Sequence, residues 1–454
     1  MIIIDVNKRI DKFNLDPAQI IVLGFASVIL IGAILLSLPI ASKNGQSIGF
    51  INAFFTATSA VCVTGLVVVD TGTYWTVFGK TVIILLIQIG GLGFMTMATF
   101  FALLFGKRIT LRERLIMQEA LNQFNISGIV RLTKYVLIAT FAIEGIGAIL
   151  LAFKFVPKYG LVTGIGFSIF HAVSAFCNAG FDLIGNFRSL TLFVDDTLIN
   201  VVICGLIIMG GLGFTVIVEV MNKRKFSRYT LHTKLVLCIT AVLLVVGFFV
   251  VLVLEYNNPD TLGNLTFKGK ILGAMFHSVT PRTAGFNSLP TDKLSMATIF
   301  FTIILMFIGG SSGSTAGGVK ITTAGVMVLH ISSIIRGKED TEVFGRRIPR
   351  DIISRSLAVI GIAMCLIILV TMILSITEPD QDFLSIFFEA TSAFATVGLS
   401  VGITPTLSIV GKIIISLTMF AGRVGPFTIA LALAKQQQKK KGLVKYPQER
   451  VIVG

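Results

Sequence analysis

Eight stretches of this chain are apolar over about twenty residues or more and almost free of charge, and four shorter apolar segments, each ending in a glycine, lie in alternate gaps between them. A helix needs about 20 apolar residues to cross the hydrocarbon of a bilayer. The long stretches run from Ile20 to Pro39, Thr81 to Phe105, Leu132 to Phe155, Leu198 to Met221, Leu235 to Leu254, Met296 to Leu329 (interrupted), Leu357 to Ile376, and Ile409 to Ala434. Each is a predicted span; the short segments, apolar for about ten residues, cannot cross. Only 13% of the residues are charged, where a soluble domain needs roughly 25% to solvate its surface. A soluble enzyme, a disordered scaffold and a secreted disulfide module are excluded on that count. Five cysteines lie scattered in apolar runs with no CxxC pair and no histidine at ligand spacing, so neither disulfides nor a zinc site are expected. The N-terminus is mixed in charge, so the first span is expected to be retained rather than cleaved.

Aligned on their glycines, the short segments read FFTATSAVCVTGL (54–66), IFHAVSAFCNAGF (169–181), MFHSVTPRTAGF (275–286) and FFEATSAFATVGL (387–399). Recurrence at near-regular intervals predicts four units of span, short segment, span: residues 20–106, 132–222, 235–336 and 357–435, with termini 1–19 and 436–454. The expected fold is an all-α membrane protein whose four units surround a central cation pore. The third copy is a residue shorter and carries Pro281 and Arg282.

Basic clusters follow span 2 (Lys107, Arg108, Arg112, Arg114), span 4 (Lys223, Arg224, Lys225, Arg228) and span 6 (Arg336, Lys338, Arg346, Arg347, Arg350), and fill the C-terminal tail. The opposite connections carry Asp70, Asp182, Asp195, Asp196, Glu378, Asp380 and Asp382. The positive-inside rule then puts both termini in the cytoplasm and brings the short segments in from outside. It also accounts for the net charge of +15 without nucleic acid; the basic face is suited to anionic lipid.

A cation entering a membrane needs oxygens to replace its water, and backbone carbonyls supply them where the chain can turn several toward one axis. Glycine permits that geometry and L-residues resist it. Non-helical backbone at membrane depth is tolerated where it lines a cavity, and the C-terminal end of a short helix aimed at that cavity favours a cation. Packing is the ordinary use of a single membrane glycine, but four equivalent ones at the ends of non-spanning segments point to a pore.

Residues Gly309, Gly310, Ser311, Ser312, Gly313, Ser314, Thr315, Ala316, Gly317 and Gly318 interrupt span 6 with a composition that cannot hold a helix. A flexible loop facing a polar cavity is expected there. The Gly90–Gly93 and Gly210–Gly213 clusters read as packing or bending points, and span 8 carries a further cluster, Gly422–Pro426. Arg423 lies deep in span 8, where an unpaired charge is expensive; Glu144 and Glu219 are its available partners, and a functional role is the other reading. Glu389 and Arg282 flank short segments, and His171 and His277 read as structural.

Thr396-Val397-Gly398 matches the opening of the potassium-channel filter, and the one-chain, four-unit frame resembles the Trk/Ktr/HKT superfamily of potassium transporters, most nearly its KtrB-type membrane subunit. The resemblance covers Ile20 to Ala434. It implies that the filter carbonyls come from Val63, Thr64 and Gly65; Asn178, Ala179 and Gly180; Thr283, Ala284 and Gly285; and Thr396, Val397 and Gly398. It implies that loop 309–318 is a gate beneath the filter, with Arg423 beside it as barrier or anchor. It further implies potassium as the transported ion, with sodium possible, a homodimer, and a cytoplasmic KtrA-type ring that binds nucleotide. The chain itself has no nucleotide fingerprint, no cofactor motif and no nucleophile or metal constellation of an enzyme. Sodium-coupled or non-selective cation transport by alternating access is the alternative, although such transporters favour inverted repeats.

Overall fold

The structure, a computed structural model, describes residues 17–104, 109–120 and 128–425. The predicted tail 436–454, the N-terminal residues up to 16, Lys107, Arg108 and the end of span 8 beyond Gly425 lie outside the described residues. Those described form α-helices, joined by short turns, and one two-stranded hairpin, β1 (Glu342–Val343) and β2 (Arg346–Arg347).

Three kinds of helix follow one another four times. The first is long: α1 (Pro17–Ser37), α6 (Ile129–Tyr159), α10 (Leu231–Glu255) and α14 (Arg350–Thr377). These are the four single helices long and apolar enough to cross a membrane among the described residues. The second is short: α2 (Phe50–Val61), α7 (Leu161–Phe176), α11 (Phe267–Val279) and α15 (Phe383–Ala395). The third is broken in three units: α3 (Val77–Leu92) then α4 (Phe94–Leu104), α8 (Thr197–Leu212) then α9 (Phe214–Asn222), and α12 (Met296–Phe307) then α13 (Ile321–Ile335); in the fourth it is α16 (Ile409–Val424), described up to Gly425. Outside this pattern α5 (Leu111–Ala120) lies between α4 and α6, and a single α-helical turn spans Thr71–Tyr74.

Glycines make the breaks. Gly93, Gly213 and Gly425 have φ of 84°, 91° and 92°, which L-residues resist, and the chain turns through 97° between α8 and α9. The predicted fourth span is therefore a bent pair, and the predicted second is interrupted at Gly93. Each third helix starts on a capping side chain: Thr76, Asp196, Ser295 and Ser408 accept from the amides of Gly79, Leu198, Thr298 and Gly411 at 3.0–3.3 Å. Two carboxylates from the ends of long helices join these caps. Glu255 Oε1 accepts from Ser295 Oγ at 2.7 Å and Thr298 Oγ1 at 2.5 Å, and Glu378 Oε1 accepts from Ser408 Oγ at 2.5 Å.

The packing order closes on itself. The third helix of each unit lies against the short helix of the next: α3 on α7, α8 on α11, α12 on α15, and α16 on α2. Small side chains allow the short helices to converge, and Ala57, Ala60, Ala172, Ala175, Ala390 and Ala393 are all fully buried. Outward faces are apolar instead: Val242, Val245, Phe249 and Val253 of α10 are exposed, as a lipid-facing surface requires.

Candidate functional site

Each short helix runs into a three-residue turn whose first and third residues have left-handed backbone. Val63, Asn178, Thr283 and Thr396 take φ of 58°, 59°, 65° and 51°, and Gly65, Gly180, Gly285 and Gly398 take 96°, 70°, 76° and 88°. For a β-branched residue such as Val63, Thr283 or Thr396 this is an outlier costing about 1–3 kcal/mol, maintained only where the surroundings enforce it. Alternation of left- and right-handed residues is the backbone form that turns successive carbonyls toward one side.

The enforcement is a hook from the short helix. Ser59 Oγ accepts from the Gly65 amide at 3.0 Å and Ser392 Oγ from the Gly398 amide at 3.1 Å. In the other two units the hook is reversed: Ser174 Oγ donates to Phe181 O at 2.7 Å, and Thr280 Oγ1 donates to Phe286 O. The main chain repeats the tie, with Thr64, Ala179, Ala284 and Val397 donating to the carbonyls of Ser59, Ser174, Thr280 and Ser392 at 2.7–3.0 Å. These four hydroxyl residues were not singled out from the sequence, although alignment on the glycines puts them in almost one register.

The four turns form a ring. A Cβ on Gly180 would stand 2.7 Å from Ala284 O and 2.9 Å from Gly285 Cα; on Gly285 it would stand 2.5 Å from Val397 O and 3.3 Å from Gly398 Cα. On Gly398 it would overlap Thr64 O, and on Gly65 it would overlap Ala179 O, which returns to the start. Each glycine thus leaves room for the carbonyl of the residue before the next glycine. The same absence of Cβ serves at Gly90, Gly210 and Gly422, where a methyl would overlap Val61 O, Phe176 O and Phe394 O at the ends of three short helices.

Residues 309–320 form no helix and cross from α12 to α13. The amides of Ser311 and Thr315 donate to Gly211 O at 2.9 Å and Gly210 O at 3.3 Å, Phe214 N donates to Gly313 O at 3.0 Å, and Thr315 Oγ1 donates to Phe176 O at 3.2 Å. Gly317 lies against the side chain of Thr396, so the loop touches the first residue of the fourth turn. Arg423 donates through Nη1 to Thr315 O and through Nη2 to Gly90 O, with Gly91 O at 3.2 Å. Its guanidinium therefore ties α16, the loop and the end of α3 together. Glu144 and Glu219 are occupied elsewhere: Gln88 Nε2 donates to both Glu144 oxygens at 3.2 Å, and Glu219 accepts from Lys223, Thr230 and Thr233.

Four further polar residues beside the turns have local partners. His171 Nδ1 lies 2.7 Å from Phe167 O, and its Nε2 accepts from the Leu183 amide at 3.4 Å. His277 Nε2 lies 3.0 Å from Thr302 Oγ1, Glu389 Oε1 accepts from Thr404 Oγ1 at 2.5 Å, and Arg282 Nη2 donates to Thr240 O at 3.2 Å. Outside the ring, two residues beyond Gly180, stands half-buried Asp182. Burial, opposed by the Ile184 amide and reinforced by the nearby Asp70 carboxylate, pushes its carboxyl up to about 7. Among the described residues no group of three His, Cys, Asp or Glu is arranged to hold a metal ion.

Comparison with known proteins follows the same lines. The model of a family described as cation transport protein, TrkH, matches residues 11–442. The chain is 46% identical over 448 residues to a Ktr system potassium uptake protein B of Bacillus subtilis, covering 99% of each chain. It is 42% identical to a potassium/sodium uptake protein, NtpJ, of Enterococcus hirae, covering 98% of this chain and 99% of that one. The crystal structure of the potassium transporter TrkH from Vibrio parahaemolyticus superposes with a TM-score of 0.72, covering 93% of this chain and 86% of that one, at 18% identity, a likeness of fold.

Proposed function

The chain belongs to the TrkH family of cation transport proteins, and from that premise we propose that it carries potassium across the cell membrane as the ion-translocating subunit of a Ktr-type uptake system. The observation that carries the reading from family to mechanism is the closed ring of four hooked turns with alternating backbone handedness. Carbonyls of residues 63–65, 178–180, 283–285 and 396–398 replace the hydration shell of the ion, and the C-terminal ends of α2, α7, α11 and α15 add partial negative charge. The long helices and the four of the third kind make eight spans, with the basic connections and both termini on the cytoplasmic side.

Loop 309–318 lies across the path inside this ring and acts as the gate. Its ties are a handful of hydrogen bonds, each contributing on the order of 1 kcal/mol, so a partner can displace it at modest cost. Arg423 serves as its anchor, because its donors end on carbonyls of the loop and of α3. The partner is a nucleotide-binding ring of KtrA type on the basic face, and the pore subunit is a dimer. A second reading, passage of sodium with potassium, is favoured by the 42% relative named for both ions and by four turns of unlike sequence.

Flux from proteoliposomes containing this chain alone, compared for potassium, rubidium, sodium and lithium, tests both readings. Gly65→Ser and Gly398→Ser each thrust a Cβ into the carbonyl of the neighbouring turn and should lower potassium preference over sodium. Unchanged preference in both folded variants would defeat the filter assignment; equal parent fluxes of potassium and sodium would favour the second reading.

A further inference from the structure

The loop is fastened at more points than Arg423. Its ends are pinched together where Gly309 N donates to Val319 O at 2.9 Å and Ile321 N to Gly310 O at 3.0 Å. Between them, Lys320 Nζ donates to Ala316 O at 2.8 Å. Lys320 precedes the first turn of α13, is half-buried, and makes no capping bond there. Among the described residues neither Lys320 nor Arg423 belongs to an ion pair. Two basic side chains therefore end on successive carbonyls, Thr315 O and Ala316 O, in the part of the loop next to Gly317 and hence against Thr396. Carbonyl oxygens beside a cation filter are the groups to which a departing ion would pass.

We propose that Lys320 is a second latch of the gate, its amino group holding the Ala316 limb of the loop closed and occupying an oxygen that a permeating cation must reach. The inference rests on the reading of residues 309–318 as a gate. The two latches release differently. Arg423 is carried by α16 and lets go when the loop moves, whereas Lys320 is carried at the head of α13 and is withdrawn when that helix moves. This makes α13 the element on which an external pull would act.

The test uses the full chain in proteoliposomes without partner. Lys320→Met keeps the aliphatic stem and removes the donor. Potassium flux should rise by about tenfold, the scale of one lost charge-assisted hydrogen bond, with potassium preference over sodium unchanged. Lys320→Arg restores a donor and should bring flux back toward the parent level. In a chain lacking residues 311–316 the acceptor is gone, so Lys320→Met should add nothing further. Lys320→Leu, which also lacks a donor, gives the same reading as Met if the Met variant is not monodisperse. A Lys320→Met flux no higher than parent, while the loop deletion raises flux, overturns the latch and leaves the gate standing. An equal rise in both backgrounds also overturns the latch. If the deletion itself lowers flux in folded protein, the gate and the latch fall together.

Discussion

At the scale of single residues, the ring of turns depends on side chains that are absent and on hydroxyls that tie the chain from behind. Four glycines leave room for carbonyls, and four hydroxyls behind them hold the strained residues in place. Ser59→Ala leaves the buried amide of Gly65 without its acceptor, at about 1–3 kcal/mol, and should lower both potassium preference and the melting temperature of the purified protein. Unaltered selectivity with lowered stability would reduce the hook to packing. Beside the ring, Asp182 is expected to make cation flux sensitive to the pH on its side of the membrane. Its carboxyl, raised to about 7 in the folded chain, is neutral below that value and charged above it, so flux should climb as that pH goes from 6 to 8, and Asp182→Asn should flatten the profile. The same shift fixes the sign for stability. The folded state binds the proton more tightly than the unfolded one, so the contribution of Asp182 is fully present below the unfolded carboxylate range and is lost as pH rises through about 7.

At the scale of elements, the glycine clusters divide into two jobs that composition alone left merged. Gly90 and Gly210 admit the ends of short helices, and Gly93 and Gly213, three residues on, turn the chain. A glycine run announces that side chains are unwanted but not whether backbone or neighbour is the reason, because both demands select the same residue. Loop 309–318 was legible because five glycines and four hydroxyl residues in ten positions oppose a helix outright. Its partners were not, since Gly210, Gly211 and Phe176 come from another unit. Deleting Ser311 to Ala316 removes the acceptor of Arg423 together with the bonds to α8, and should raise potassium flux from the chain alone. Measured efflux at or below the parent level in monodisperse protein would make the loop a support for the filter instead.

At the scale of the whole molecule, span lengths and the scarcity of charge made the membrane class readable, and the glycine recurrence the four short segments, since each rests on local composition. The order in which units meet was not readable, because it depends on which faces of distant helices fit. The proposed cytoplasmic partner is expected to meet the basic connections that follow α4, α9 and α13 in the sequence and the tail from residue 436. Removing residues 436–454 should weaken co-purification with a nucleotide-binding partner while basal flux persists; a stoichiometric complex that survives this change and neutralisation of the connections would reject the surface.

The contact of α16 with α2 has a consequence for how the chain is made. Helices enter the bilayer in order of synthesis, yet the surface on which the first short helix finally rests is the last described helix to emerge. From the time Phe50–Val61 is released until Ile409–Val424 follows, more than three hundred residues later, that half-length helix and its strained turn wait without their neighbour. The vacancy makes the nascent chain a client for any factor that shields incomplete polar surfaces in the bilayer, and it gives quality control a simple criterion: a chain interrupted before its fourth unit displays an unfilled seat beside its first.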